Sequence, residues 1–210
     1  MKVRTAVIYG DSISARQYGA GGYEALIKQE LSIDVIHNHA ISASGLAEGT
    51  PDCLVRLLED PSRLHPEAEL VILWHGTNDW YWGVEAGDPE SRDSTRFAGA
   101  LRNCVGKIRS VSPGAVIILL TPLWRYQAPD GDKIPGDAWL LPNRAGTCQK
   151  EIYDMVFEMG RRLNIPVLDI RKLSGIGRHN WEQLLPDMVH PSEEGYRIIC
   201  RFLCDFIRTL

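Results

Sequence analysis

The chain of 210 residues is long enough to bury the core of one domain, and its 44% hydrophobic and 24% charged residues are typical of a folded globular protein. A net charge of −4 at pH 7, with no basic stripe, argues against a nucleic-acid partner. No apolar run could span a bilayer and no signal peptide is recognisable, so we expect one domain over residues 1–210, cytoplasmic unless a leader was removed.

Short apolar runs that alternate with helical patterns predict five β-strands. The runs lack the inside–outside alternation of a half-exposed sheet, which indicates a parallel sheet covered on both faces. The predicted strands are residues 3–9, 33–38, 70–74, 115–121 and 165–170. The predicted fold class is therefore α/β with a doubly wound sheet, and ligands of such sheets bind beyond the carboxyl ends of the strands.

Apolar residues at helical spacing predict five helices. They cover residues 23–31, 52–59, 97–111 and 148–163, and a last segment that follows Ser192. Ser192 suits the N-cap of this last helix, since a serine hydroxyl accepts a hydrogen bond from a free backbone N–H of the first turn. The negative charges of Glu193 and Glu194 would stabilise the first turn, because they lie near the positive end of the helix dipole.

Two connections are longer than a compact domain requires. Residues 80–93 follow the third strand and residues 122–143 follow the fourth. Loops of this length are commonly functional, and both leave from the edge where the strands end. Their aromatic residues predict the walls of a substrate cleft, with Trp80, Trp82 and Trp124 as candidate substrate contacts.

Two motifs, far apart in the chain, carry the groups that a serine hydrolase needs. Gly10-Asp11-Ser12 follows the first strand, and Asp187-Met188-Val189-His190 precedes the last helix. Ser12 is a weak nucleophile unless a base such as His190 takes its proton, and Asp187 can orient the imidazole. Each motif alone also suits a turn or a helix start. Because the two motifs are predicted to lie at the same edge of the sheet, a catalytic role is favoured.

A third motif, Gly76-Thr77-Asn78-Asp79, follows the third strand. The side-chain amide of Asn78 could donate to the negative oxygen that develops during acyl transfer. The alternative is a plain Asx turn.

The three motifs, in this order on an alternating α/β pattern, resemble those of the SGNH, or GDSL-type, hydrolases over nearly the whole chain. The resemblance implies a three-layer α/β/α sandwich with a five-stranded parallel sheet of order 2-1-3-4-5. It also implies that Ser12 is the nucleophile, His190 the base and Asp187 the orienting acid. Asn78 and the backbone N–H of Ser12 would belong to the oxyanion hole.

The segment after the second strand departs from the family pattern. The family has a glycine there, whose backbone N–H is the remaining oxyanion donor. In this chain Ala43 aligns with that position, and Gly45 follows two residues later. A backbone donor needs no glycine unless the turn requires a positive φ. We predict Ala43 as the donor, with Gly45 as the alternative. Ser14 replaces the second glycine of Gly-x-Ser-x-Gly, which argues against an α/β-hydrolase nucleophile elbow.

The predicted function is hydrolysis of carboxylic esters through an acyl-enzyme, without a metal or other cofactor. The substrate would be a small-molecule ester. Aromatic and polar loops favour an acetyl or other short acyl group on a polar, carbohydrate-like alcohol, and Asp11 is a further candidate contact to the substrate. The alternatives are a lysophospholipase, thioesterase or lipase-like acylhydrolase, and a non-catalytic binding module of the same fold. The oligomeric state is not readable from the sequence.

Histidines and cysteines give no metal or disulfide signal. His37 and His39 have no acidic or thiol partner at a metal-ligand spacing, so no metal site is predicted there. The cysteines number five, include no Cys-x-x-Cys pair, and are predicted to be reduced packing residues. Cys104 and Cys148 fall within the apolar stripes of two predicted helices.

Overall fold

The computed structural model describes residues 2–16 and 19–210. Its strands are β1 (Thr5–Gly10), β2 (Val35–Asn38), β3 (Leu70–Trp74), β4 (Val116–Leu120), β5 (Tyr126–Gln127), β6 (Gly136–Asp137) and β7 (Val167–Leu168). A parallel sheet of five strands has the spatial order β2-β1-β3-β4-β7, and β5 and β6 form a separate antiparallel ribbon. The implied order 2-1-3-4-5 is confirmed, because β7 is the fifth strand of the sheet.

Helices cover both faces of the sheet. The helices are α1 (Glu24–Glu30), α2 (Leu54–Leu57), α3 (Thr77–Trp82), α4 (Phe97–Val111), α5 (Gln149–Leu163), α6 (Ile170–Leu173), α7 (Trp181–Leu184) and α8 (Glu193–Arg208), with a 3-10 turn at Pro61–Arg63. The buried apolar side chains of α1 and α8 belong to the core on one face, and those of α2, α4 and α5 to the core on the other. Within the described ranges, no helix has the length and apolar character needed to cross a membrane.

Successive residues of β1, β3 and β4 point into different cores. Ile8 of β1 belongs to the same buried cluster as Ile199 of α8, whereas its neighbour Val7 belongs to the cluster of Leu101 on α4. Because these three strands bury both of their faces, their sequences are apolar almost throughout rather than alternating, whereas the edge strand β2 exposes Val35. The three-layer α/β/α prediction is confirmed.

Several predicted boundaries change. The predicted start of the loop 80–93 is wrong, because residues 80–82 belong to α3, which ends at Trp82. Gly76, with a φ of 120°, lets the chain turn directly from β3 into this helix. The fifth predicted strand is too long, because Ile170 begins α6, where the carboxylate of Asp169 accepts a hydrogen bond from the N–H of Lys172 (3.2 Å).

The second long connection, residues 122–143, contains the β5–β6 ribbon. The N–H of Tyr126 donates to the carbonyl of Met188 (3.2 Å), and the N–H of Ala138 donates to the carbonyl of Arg125 (3.0 Å). The first of these bonds attaches the ribbon to the segment that carries Asp187 and His190.

All five cysteines are free thiols, and four of them are buried. Cys104 lies on the buried face of α4, as predicted. Cys148 is the N-cap of α5 and half-buried, so its predicted place within the apolar stripe is wrong. The predicted N-cap of the last helix is confirmed, because the Ser192 hydroxyl accepts a hydrogen bond from the N–H of Gly195 (3.2 Å).

Candidate active site

The turn that carries Ser12 begins where β1 ends. The N–H of Ser14 donates to the carbonyl of Asp11 (3.0 Å) and closes the turn. A Cβ on Gly10 would lie 2.7 Å from the Cβ of Ser14, so glycine is needed at Gly10 for this close approach. The turn leaves Ser12 at the carboxyl end of the strand.

The structure brings Ser12, His190 and Asp187 together in one hydrogen-bonded chain. Oγ of Ser12 lies 2.7 Å from Nε2 of His190. Nδ1 of the same ring lies 2.6 Å from Oδ2 of Asp187. Residues at opposite ends of the sequence therefore meet at the edge predicted from the strand order.

The Asp187 carboxylate holds both the backbone and the side chain of His190. Oδ1 accepts hydrogen bonds from the N–H groups of Val189 (3.0 Å) and His190 (2.7 Å), while Oδ2 faces the imidazole. Met188 adopts a φ of 68° within this tight turn. One carboxylate thus fixes the backbone turn and the orientation of the imidazole ring.

The ionisation of Asp187 follows from these contacts. Burial by itself raises the pKa of the carboxyl, but hydrogen bonds from the His190 side chain and backbone, and the attraction to the ring, lower the pKa to about 2. A carboxylate that is ionised at neutral pH favours the imidazole tautomer with its proton on Nδ1. The lone pair of Nε2 then faces the Ser12 hydroxyl and can accept its proton.

Hydrogen bonds tie the loop after β2 to both neighbouring elements. Asn78, in the first turn of α3, donates from its side-chain amide to the carbonyl of Ser44 (2.9 Å). The Ser44 hydroxyl donates to the carbonyl of Gly10 at the end of β1 (3.2 Å). The segment that contains Ala43 is therefore held between the end of β1 and Asn78.

Asp79 is a supporting residue to which sequence reasoning gave no separate role. It is fully buried, and its carboxylate accepts hydrogen bonds from the N–H groups of Leu46 (3.0 Å) and Ala47 (2.9 Å). Burial raises the pKa of Asp79 to about 6. Asp79 anchors the loop after β2 to α3, and its only sequence signal was its place beside Asn78.

Ala43 adopts a left-handed backbone conformation, with a φ of 64°. The glycine of the family pattern therefore matches a conformational requirement of this turn, and Ala43 meets it with strain. Its carbonyl accepts a hydrogen bond from the indole N–H of Trp82 (3.1 Å). Gly45, the alternative donor, is tied to α2 because its carbonyl accepts from the N–H of Leu54 (3.0 Å).

The strain at Ala43 leads to a stability prediction. We expect Ala43→Gly to raise the free energy of unfolding by about 0.5–1 kcal/mol, because relief of left-handed strain exceeds the entropy gained by the unfolded chain. Ala40→Gly, in the same loop but not at a positive φ, should lower it instead. Urea unfolding of the two variants measures the difference. Equal destabilisation by both would contradict the assigned backbone conformation.

Asp11, predicted to contact the substrate, is buried with 2% of its surface exposed. Its Oδ1 accepts a hydrogen bond from the N–H of Ile13 (2.9 Å). Burial raises the pKa of Asp11 to about 7. The side chain supports the turn that carries Ser12, and its contact with the substrate stays a prediction.

The three predicted tryptophans occupy different environments. Trp80 is buried and Trp82 half-buried, and both line a cavity of about 350 Å³. Trp124 is a core residue instead, because its indole N–H donates to Asp137 of β6 (2.9 Å) while its ring packs in the interior. Trp124 is not among the residues that line this cavity, and its contact with the substrate stays a prediction.

The cavity lies between α3 and the β5–β6 ribbon. Tyr81, Gln127 and Lys133 also line it, whereas Ser12 and His190 do not. Trp82, which lines the cavity, also donates from its indole N–H to the carbonyl of Ala43 in the loop after β2. Residues of both long connections, 80–93 and 122–143, therefore line one cavity, and its aromatic residues all come from α3.

Arg125 joins α3 to the ribbon. It was predicted as part of a polar loop, but it is buried with 7% of its surface exposed. Its guanidinium lies 4.6 Å from the ring centre of Tyr81 and 5.5 Å from that of Trp80, and it donates to the carbonyl of Thr77 (3.4 Å). These contacts position the helix that carries Asn78.

Comparison with known proteins agrees with the fold and the motifs. The model of the GDSL-like lipase/acylhydrolase family matches residues 8–198. The chain belongs to this family. The predicted resemblance to GDSL-type hydrolases is confirmed, and membership supports a hydrolase that acts on small-molecule esters.

Solved structures resemble this GDSL-like chain over nearly its whole length. A protein from Lactobacillus plantarum is 20% identical, with a TM-score of 0.85 over 100% of this chain and 98% of that one. A possible lipase from Chitinophaga pinensis is 20% identical, with a TM-score of 0.77 over 98% of each chain. The lipase/acylhydrolase from Enterococcus faecalis is 23% identical, with a TM-score of 0.65 over 98% and 96%. Curated proteins give no match. At these identities the likeness establishes the fold alone.

Proposed function

We propose that this chain is a carboxylic ester hydrolase that forms an acyl-enzyme on Ser12. The observation that carries the proposal is the hydrogen-bonded chain from Ser12 through His190 to Asp187. Nε2 of His190 takes the hydroxyl proton as Oγ attacks the ester carbonyl, and Asp187 stabilises the imidazolium that forms. His190 then gives the proton to the leaving alcohol, and water releases the acid by the same steps.

The oxyanion would be held by the backbone N–H groups of Ser12 and Ala43 and by the amide of Asn78. A side-chain amide carries two hydrogens, and Asn78 uses one on the Ser44 carbonyl. That bond fixes the amide and leaves the second hydrogen for the oxyanion. Donors held in advance lower the barrier because they need no reorganisation during the reaction. Neither a metal nor another cofactor takes part in this mechanism.

We propose short acyl groups and a polar alcohol as the substrate class. The cavity between α3 and the β5–β6 ribbon combines the rings of Trp80, Tyr81 and Trp82 with polar groups of Gln127 and Lys133. Aromatic faces can pack on the apolar faces of a sugar while polar groups bind its hydroxyls.

A lipase-like acylhydrolase is the second candidate. Ile134 and Leu140, near the β5–β6 ribbon, are 70% and 75% exposed, and Ile134 also lines the cavity. These apolar side chains could contact a longer acyl chain.

A series of p-nitrophenyl esters from acetyl to octanoyl, together with acetylated sugars, tests the substrate class. We expect kcat/KM to be highest for acetyl or propionyl and to fall beyond butyryl, with no loss in EDTA. A methylene that is buried contributes about 0.8 kcal/mol, or roughly fourfold in kcat/KM. A steady rise toward octanoyl would support the lipase-like candidate. Hydrolysis of no ester at all would support a binding module.

A further inference from the structure

A cluster of three histidines and a glutamate lies at the edge of the sheet, on and just after β2 and on the connection that leads to β3. Nε2 of His37 lies 3.2 Å from Oε1 of Glu67, and Nδ1 of His65 lies 3.3 Å from the same oxygen. One potential ligand atom from each of these three residues lies within 4.8 Å of the others. The mechanism proposed for Ser12 uses none of them.

The spacing of these atoms fits a small tetrahedral ion. Zinc binds imidazole nitrogen at about 2.0–2.1 Å, so neighbouring ligand atoms around a tetrahedral zinc lie about 3.3–3.4 Å apart. The two measured distances to Glu67 are close to this separation. The rings of His37 and His65 stack with 3.7 Å between their centres, and His37 is half-buried.

His39 supplies the outer hydrogen bond that metal-ligating histidines commonly have. Its Nε2 lies 2.7 Å from Nε2 of His65. If His65 donates this bond, its proton is on Nε2 and the lone pair of Nδ1 is free for a metal. The His39 ring also stacks on that of Tyr9, at 5.8 Å between centres, which restrains its orientation.

We propose that His37, His65 and Glu67 bind a divalent transition-metal ion of the zinc type, with His39 as the outer partner of His65. Two imidazoles and one carboxylate favour such an ion over magnesium or calcium, which prefer oxygen ligands throughout. The side chains of His37 and Glu67 are 31% and 54% exposed, so the ion can enter from solvent and a water can complete its coordination.

The role of the ion is to stabilise the edge of the sheet. β2 is the outermost strand, and β3 lies on the far side of β1. The hydroxyl of Tyr9 on β1 donates to the carbonyl of Arg63, which places the connection before β3 over β1. An ion held by His37 and by His65 and Glu67 would fasten the edge strand to that connection. His65 and Glu67 follow His37 by 28 and 30 positions, a separation that matches no short metal-binding motif, so the sequence did not predict this site.

Titration of the metal-stripped full chain with Zn²⁺, followed by calorimetry and thermal unfolding, tests the site. We expect one ion per chain, and a rise in Tm of about 5–10 °C when free Zn²⁺ is a hundredfold above Kd. Glu67→Gln and His37→Gln should each weaken Zn²⁺ binding by more than about 100-fold, and His39→Phe by about 10–100-fold. Co²⁺ should give the visible absorption of four-coordinate cobalt in the unaltered chain but not in Glu67→Gln or His37→Gln.

Two controls exclude other ligands. His179 is exposed and does not belong to the candidate metal cluster, and His179→Gln should bind Zn²⁺ normally. Cys200→Ser tests the other pair of metal-binding side chains, since its Sγ lies 3.7 Å from that of Cys204 on α8. Unchanged binding in the His37→Gln/Glu67→Gln double variant would overturn the site. So would loss of binding in Cys200→Ser or His179→Gln.

Discussion

Replacing Ser12 by alanine should lower kcat/KM for ester hydrolysis on the order of 10⁴–10⁶-fold, and replacing His190 by alanine should cost nearly as much. The two residues act as one unit, because the Ser12 hydroxyl is an effective nucleophile only when Nε2 of His190, 2.7 Å away, accepts its proton. The effects should therefore not add. The Ser12→Ala/His190→Ala double variant should be about as active as either single variant.

Matched controls separate this loss from damage to the fold. Ser110, exposed on α4, and His179, exposed between α6 and α7, are of the same residue types but lie outside the cluster. Ser110→Ala and His179→Ala should retain full activity. All four single variants should keep a Tm close to that of the unaltered chain.

A fluorophosphonate probe identifies the nucleophile independently of any substrate. Mass spectrometry should locate the label on Ser12, and Ser12→Ala should not be labelled. Labelling of another serine, or substantial turnover by Ser12→Ala, would rule out the proposed nucleophile.

The architecture could be predicted from the sequence because positions that are buried in the strands and long helices are occupied by apolar residues. The strands β1, β3 and β4 are covered on both faces, so their apolar runs are continuous, and the long helices repeat apolar residues at their own period. Shorter elements show a weaker apolar pattern in the sequence. α3 was taken for part of a loop, because its six residues, Thr77–Trp82, include three aromatics and a motif that also suits a turn.

The sequence also placed Ser12, Asn78, Asp187 and His190 at one edge, because the carboxyl ends of parallel strands meet there. It could not give the environments that distant contacts create. The burial of Asp11 depends on the fold around the turn, and that of Trp124 depends on its bond to Asp137. The strained φ of Ala43 and the meeting of Glu67 with His37 likewise appear only in three dimensions.

Replacing Asn78 by alanine should lower kcat by about 10²–10³-fold and change KM much less. The amide donates to an oxygen that becomes negative only in the transition state, so its loss should leave substrate binding largely intact. Asn78→Asp keeps the size of the side chain but removes its donors, and it should be at least as slow. Steady-state kinetics on an acetyl ester measures both constants.

Asn78→Ala also has a structural effect that must be distinguished from the catalytic one. It removes the partner of the Ser44 carbonyl, and a buried acceptor left without a partner costs about 1–3 kcal/mol. Ser44→Ala is the matched control, because it removes the hydroxyl bond to Gly10 from the same loop but keeps the Asn78 amide. We expect it to lower Tm and to reduce kcat by less than about tenfold, well below the effect of losing an oxyanion donor. If Ser44→Ala lowers kcat as much as Asn78→Ala does, the position of the loop after β2, and not the Asn78 amide, determines kcat. If Asn78→Ala changes KM alone, the amide binds substrate instead of stabilising the transition state.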